Sequence, residues 1–520
     1  MRSACALAVG GLLIGSAKAG SPVPGVVQWQ IEKKASPISE LLRKRADTYE
    51  EVITNERMRG GYFATCAIGT PYQNLTLQLD TGSSDTWVPD TTAEACQGTR
   101  SDPQGCAFGA FDPAKSSTFV DVGKGDFDIS YVDGSHSRGD YFSDRFEIGG
   151  AVVNVTMGLG IDTDIAYGLV GVGYALNEAN VSNTQSVSSA YPNLPVTMEQ
   201  EGLINSIAYS LWLNDLDSST GNILFGGIDT AKYKGDLTRI HIYPDPRTNA
   251  YTSFLVALTS IQAVSPSGTD NLTSREFPIP VVLDSGTTLS YLPTDLAMQI
   301  WHEVGAVYTA SLDLALLPCS MAQSAGVFSF GFAGPSGPRI NVDMTELVLP
   351  LTTGAAPKFA SGPYKGQAAC EFGIQNFSSD PFLLGDTFLR SAYVVYDLIN
   401  NEVGIAATDF NSTDSEIVAF PSYGAEIPSA TLAPAQSQAT AKPSVTTPAY
   451  VASAGFLETA TASPNSGGGD GGSGSSDGGD GQGKGENAGW RAPPFDWARV
   501  MVVGLCMLFV MVGSGTFLLS

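Results

Sequence analysis

Histidine is nearly missing from this 520-residue chain, which carries only His136, His241 and His302. None belongs to an H-E-x-x-H motif and no two lie close in sequence, so no metal site is expected. No G-x-S-x-G elbow occurs in the stretch that reads as folded, and nothing places a histidine beside Cys66, which leaves no basis for serine or cysteine catalysis. Basic groups are also scarce: 27 Lys and Arg stand against 52 Asp and Glu, a formal net charge of -25. Phosphate binding needs clustered cations, so nucleic acid is excluded as a partner. The acidic balance suits a protein working in an acidic medium, where carboxylates lose charge, and equally a solvated acidic surface. Helical periodicity is sparse, with 294–307 the best candidate. Gly, aromatic residues and short apolar runs separated by Gly, Asn, Asp and Ser turns point instead to many short strands. Examples are Tyr62–Ile68, Leu75–Leu79, Asn222–Phe225, Val281–Leu283 and Tyr393–Tyr396.

The two ends read as addresses. Met1-Arg2, an apolar run and Ala17-Lys18-Ala19 form a signal-peptide pattern over 1–19, too short and too rich in Gly and Ala to span a membrane. Residues 20–45 are basic and end in Arg43-Lys44-Arg45, a processing site. Such a segment could dock over an acidic cleft as an inhibitor, or be a charged leader without that role. Residues 411–487 read as a stalk, first rich in Ser, Thr, Ala and Pro and then in Gly, Ser and Asp, with too few large apolar residues to bury a core. After Asn487-Ala488-Gly489 come a polar spacer to Arg499 and an apolar tail, Val500–Ser520. That order is a GPI-anchor signal, with Asn487 as attachment residue and 488–520 removed. A transmembrane helix is the competing reading, disfavoured because no basic residue follows the tail. Six N-x-S/T sequons, at Asn74, Asn154, Asn180, Asn271, Asn376 and Asn411, agree with the secretory route. Within the body, Cys96 pairs with Cys106 and Cys319 with Cys370, leaving Cys66 as a buried small hydrophobe.

The chemistry lies in a repeat. Asp80-Thr-Gly-Ser-Ser-Asp-Thr-Trp-Val-Pro89 is matched by Asp284-Ser-Gly-Thr-Thr-Leu-Ser-Tyr-Leu-Pro293. Each Asp follows an apolar strand, and each copy has an apolar-apolar-Gly partner downstream, Leu169-Val170-Gly171 and Leu383-Leu384-Gly385. One D-T-G is a surface turn; two matched copies make the body two similar halves. Related by a pseudo-twofold, they can bring one Asp from each to a shared point. Two carboxyls that close share one proton, so one acts as base on a water and the other as acid. Gly82 and Gly286 allow the sharp turns, and the hydroxyls of Thr81, Ser83, Ser285 and Thr287 can hold both carboxyls in plane.

On these residues the chain resembles the pepsin family of aspartic proteases, over roughly residues 60–408. The resemblance implies a mostly β, bilobal fold with a cleft between pseudo-twofold-related lobes, here 46–235 and 236–410. It implies hydrolysis of internal peptide bonds at acidic pH, without cofactor or metal. Tyr131-Val132-Asp133-Gly134-Ser135 looks like the tip of the flap, with Trp87 as hydrogen-bond partner of Tyr131; Val132 stands where many members have Gly. Asp133 could pair with a basic substrate side chain. The anchor, stalk and basic processing site resemble the fungal yapsin group, which cleaves at basic residues. Expected partners are peptide substrates, the chain's own pro-segment and a membrane through the lipid anchor, with the protein a monomer. A two-carboxylate glycosidase does not explain matched D-T/S-G turns. A catalytically silent surface binding or adhesion protein on the same fold is the remaining alternative.

Overall fold

The computed structural model describes residues 23–34, 61–98, 105–218, 220–310, 312–352, 355–442, 451–452 and 455–457. The signal peptide, Arg43-Lys44-Arg45, Asn487 and the apolar tail lie outside the described residues. Strands dominate. A fourteen-stranded sheet runs through both halves of the sequence, and an eight-stranded, a four-stranded and a two-stranded sheet accompany it.

The repeat becomes two copies of one local topology. In the first, the strand Gln73–Asp80 pairs in parallel with Gly168–Gly171, setting Asp80 opposite Gly171. The short strand Thr86–Pro89 returns antiparallel along the same partner. In the second, Ile279–Leu283 pairs in parallel with Phe382–Leu384, and Ser290–Pro293 returns antiparallel to it. The apolar residues before each Asp, Leu77 and Leu79 or Val281 and Leu283, are buried in one continuous core with Val170 and Leu384. Gly171 and Gly385 end the partner strands for one reason. A Cβ on Gly171 would lie 2.6 Å from the Ser84 backbone, and one on Gly385 would lie 2.3 Å from the carbonyls of Thr287 and Leu289. Only glycine lets the turn after each Asp fold back so tightly.

The expected strands are present and slightly longer: Gly61–Ile68, Gln73–Asp80, Thr220–Phe225, Ile279–Leu283 and Ala392–Asp397. The expected helix begins at Thr294 and stops at Val304, three residues short, where Gly305 adopts a left-handed conformation (φ 67°) and caps it.

Three expected boundaries need correction. The strand Tyr233–His241 runs across the division placed at 235, because it pairs with Glu402–Thr408 and Ala430–Leu432 in the large sheet. The folded body, expected to begin at 46, also takes in part of the basic pro-segment 20–45. Val27–Lys34 fills the slot between Gly61–Ile68 and Thr220–Phe225 and buries Val27, Trp29 and Ile31 on alternate positions. Nor does the folded body end at 410. Ile417–Ala419 pairs with Gly227–Asp229, and Phe420, Ile427, Ala433 and Phe456 are buried. Apolar residues spaced this thinly fail as a core of their own but suffice to dock on an existing one.

Candidate active site

Each Asp is the last residue of its strand or the first beyond it, held by the turn that follows. Asp80 Oδ1 accepts hydrogen bonds from the amides of Gly82 (2.8 Å) and Ser83 (3.2 Å), and Oδ2 accepts one from the Ser83 hydroxyl (2.5 Å). Asp284 is held alike, by the Gly286 amide (2.8 Å) and the Thr287 hydroxyl (2.6 Å). Thr81 and Ser285 cross between the turns. Thr81 Oγ1 donates to the Leu283 carbonyl and accepts from the Ser285 amide; Ser285 Oγ donates to the Leu79 carbonyl and accepts from the Thr81 amide. The reciprocal bonds clamp the loops so closely that a Cβ on Gly82 would lie 2.5 Å from Asp284 Oδ1, and one on Gly286 would lie 2.3 Å from Asp80 Oδ1. Thus all eight residues expected from the repeat meet at one point. Burial, and next the Asp284 carboxylate, push the Asp80 carboxyl up to about 7.

Both carboxyls line a cleft of about 830 Å³. One wall is the hairpin Val120–Ser130 and His136–Ile148, whose tip is the expected flap sequence. The Trp87 indole donates to the Tyr131 hydroxyl at 2.7 Å. The tip turn is closed by Gly134 N to Tyr131 O (3.0 Å), with Gly134 at φ 85° and Val132 projecting into solvent, 64% exposed. A side chain at the Val132 position therefore costs the turn nothing. Asp133 lines the cleft, and its Oδ1 accepts from the Ser135 amide and hydroxyl.

Residues 61–408 match the family described as eukaryotic aspartyl protease. The chain belongs to that family. It is an aspartic-type endopeptidase, and its substrates are peptides. It is 41% identical over 416 residues to the probable aspartic-type endopeptidase opsB of Aspergillus oryzae, covering 79% of this chain and 81% of the relative. It is 31% identical over 409 residues to aspartic proteinase yapsin-3 of Saccharomyces cerevisiae, covering 77% and 76%. Secreted aspartic protease 8 of Candida albicans is 35% identical over 358 residues, covering 68% and 77%.

The protease has both expected disulfides, Cys96–Cys106 and Cys319–Cys370, and Cys66 is buried with its thiol pushed far up by desolvation. Sequence reasoning missed the carboxylate behind the flap. Asp85 is fully buried; its Oδ1 accepts from the hydroxyls of Tyr141 and Tyr191 and its Oδ2 from the Ala179 amide. Burial raises its pKa, and burial likewise lifts neighbouring Glu178 to about 9. The repeat gave no signal for it, because the position equivalent to Asp85 in the other copy is Leu289. The cleft also carries Asp164, Asp245 and Asp380, scattered in sequence, with Arg247 as the one cation among its lining residues. Arg247 is paired with Asp245 at 3.0 Å.

Proposed function

We propose that Asp80 and Asp284 are the catalytic pair of this endopeptidase. The observation that carries the reading is the interlocked turn pair, which holds two carboxyls from different halves within reach of each other. Sharing one proton, the pair activates a water: one carboxylate takes its proton while the other carboxyl donates to the scissile carbonyl oxygen. The tetrahedral centre then collapses, the peptide C–N bond breaks and the amine leaves with a proton. Thr81, Ser83, Ser285 and Thr287 keep the carboxyls fixed, and Gly82 and Gly286 allow their approach. Tyr131, Asp133 and Gly134 close over the peptide, with Trp87 fixing the Tyr131 ring. The test is digestion of a mixed peptide library at about pH 4, with cut sites mapped by mass spectrometry. Asp284→Asn should lower turnover by ~10²–10⁴-fold or more. Undiminished cutting by that variant would refute the assignment.

Acceptance of Lys or Arg at the cleavage site is supported by the acidic lining of the cleft, Asp133 above all. We further propose a secreted, surface-held zymogen. The signal peptide, the sequons, the two disulfides and the C-terminal anchor pattern support the location, and yapsin-3 and secreted aspartic protease 8 are relatives of matching character by name. Asn74, Asn154 and Asn411 are exposed, and Asn180, Asn271 and Asn376 are half-buried. The proposed inhibitory segment, 20–45, would act through the Val27–Lys34 strand, which pairs in the sheet between Gly61–Ile68 and Thr220–Phe225. Mass spectrometry of the cell-surface protein decides these points: a mature form that still begins at residue 1, or keeps 500–520 without lipid, would overturn them.

A further inference from the structure

One short segment beyond the family-matched region is built into the second half of the protease. Phe456 is 1% exposed, its ring centroid 4.7 Å from that of Phe328. The socket depends on Gly326, where a Cβ would stand 2.4 Å from the Phe456 ring. The Ser324 hydroxyl donates to the Phe456 carbonyl at 2.8 Å. Upstream, the amides of Val451 and Ala452 both donate to Asp270 Oδ1, the latter at 2.7 Å. Asp270 is 2% exposed and is hydrogen-bonded in turn to Glu303, 4% exposed, on the helix Thr294–Val304. Two carboxyls are therefore stacked beneath the segment with no cation between them.

We propose that Val451, Ala452 and Gly455–Leu457 form a latch, docked on Asp270, Glu303 and Phe328 in acid and released above neutral pH. With one proton between the two carboxyls, Glu303 can donate to Asp270 while Asp270 accepts both latch amides. Loss of that proton to solvent leaves two buried anions facing each other. Among the described residues, no cation packs against the pair. The strands Leu255–Ser265 and Val327–Phe332 carry no charged residue, nor does the latch; His302, on the same helix as Glu303, is an exposed residue, and exposed Arg275 and Glu276 beyond Asp270 pair with each other. Burial, followed by the Asp270 charge, lifts the Glu303 carboxyl to about 7 from an ordinary 4.5. A carboxyl raised in the docked state favours docking fully below its free value, and the advantage is lost as pH rises through the docked value. The window thus runs from about 4.5 to about 7.

The test is hydrogen exchange on the full chain carrying Asp284→Asn, so that it cannot digest itself. Protection factors of the Val451 and Ala452 amides, corrected for intrinsic rates, are followed from pH 4.5 to 8. Protection should fall by up to ~100-fold across the window. Glu303→Gln, which keeps a neutral donor, should hold protection constant over the range, while Phe456→Ala should abolish it at every pH. Amides of the strand Leu314–Pro318 report whether the second half stays folded. Protection that does not change with pH, or that falls equally in Glu303→Gln, would overturn the proposal.

Discussion

Ser83 and Thr287 hold matching places in the two turns, each donating to the outer oxygen of its Asp. The donation from Ser83 favours the ionised form of Asp80 and works against burial, which dominates. Ser83→Ala should therefore raise the Asp80 carboxyl further, and the alkaline limb of the pH–rate profile should move to higher pH while turnover at pH 4 drops. A limb displaced to lower pH would contradict this account. Asp133 tests specificity at the same scale. It is exposed, so an ion pair with a substrate cation is worth little, and Asp133→Ser should lower the ratio of cleavage after Lys to cleavage after Leu by only ~2–5-fold. The ratio is read from competition between two peptides differing at that residue; no change would leave recognition of basic side chains to Asp164 or to no group at all. Asp80 and Asp284 were legible because the repeat printed them twice. Asp85 was not, because a lone Asp reads as a surface residue until the packing of Tyr141 and Tyr191 over it is known.

Among elements, the informative ones lie outside the repeat. Val27–Lys34 was read by its charge, as part of a basic pro-segment; its alternation of Val27, Trp29 and Ile31 with Gln28, Gln30 and Glu32 is also that of a half-buried strand, which the partner slot in the sheet makes visible. The region after 410 was read by composition, as a stalk. Ile417–Ala419 and Ala430–Leu432 pair with strands of the body, and Phe420 is fully buried beside Ile228, Tyr393 and Ile427. Phe420→Ala should cost ~3–5 kcal/mol in denaturant unfolding. A loss below ~1 kcal/mol would show that the segment decorates the fold rather than completing it.

The whole molecule carries its pH response in buried carboxyls. Asp80, Asp85, Glu178, Asp386 and Asp397 are all raised, each chiefly by burial. A group raised on folding stabilises the fold fully below its unfolded value, and that contribution is lost as pH rises through the folded value. Stability should thus be greatest in acid and decline through about 7, set by Asp80, towards about 9, set by Glu178. Asp245, held low by Arg247, works in the opposite sense but lies near the surface and counts little. Thermal melting at pH 4 and pH 8 should differ by roughly 5–10 °C, acid being the more stable; the reverse order would refute the argument. Lys33 runs against the body. Burial, and next the Arg390 charge, lower it from 10.5 to about 8, so its contribution is fully present only above 10.5, is lost as pH falls through about 8, and does not change on further acidification.

The sequence by itself determined the family, the matched pair of Asp turns and the strand-rich class, because each depends on residue order over short, repeated spans whose chemistry is local. The pairing of Cys96 with Cys106 was legible for a similar reason, ten residues apart around a turn-rich loop. Only the tertiary structure decided where the body ends, which carboxyls are buried and which segment fills the slot between Gly61–Ile68 and Thr220–Phe225. Those outcomes depend on whether a distant surface offers a pocket, such as Gly326 under Phe456 or the gap beside Gly61–Ile68, and no window of sequence contains both the segment and its socket.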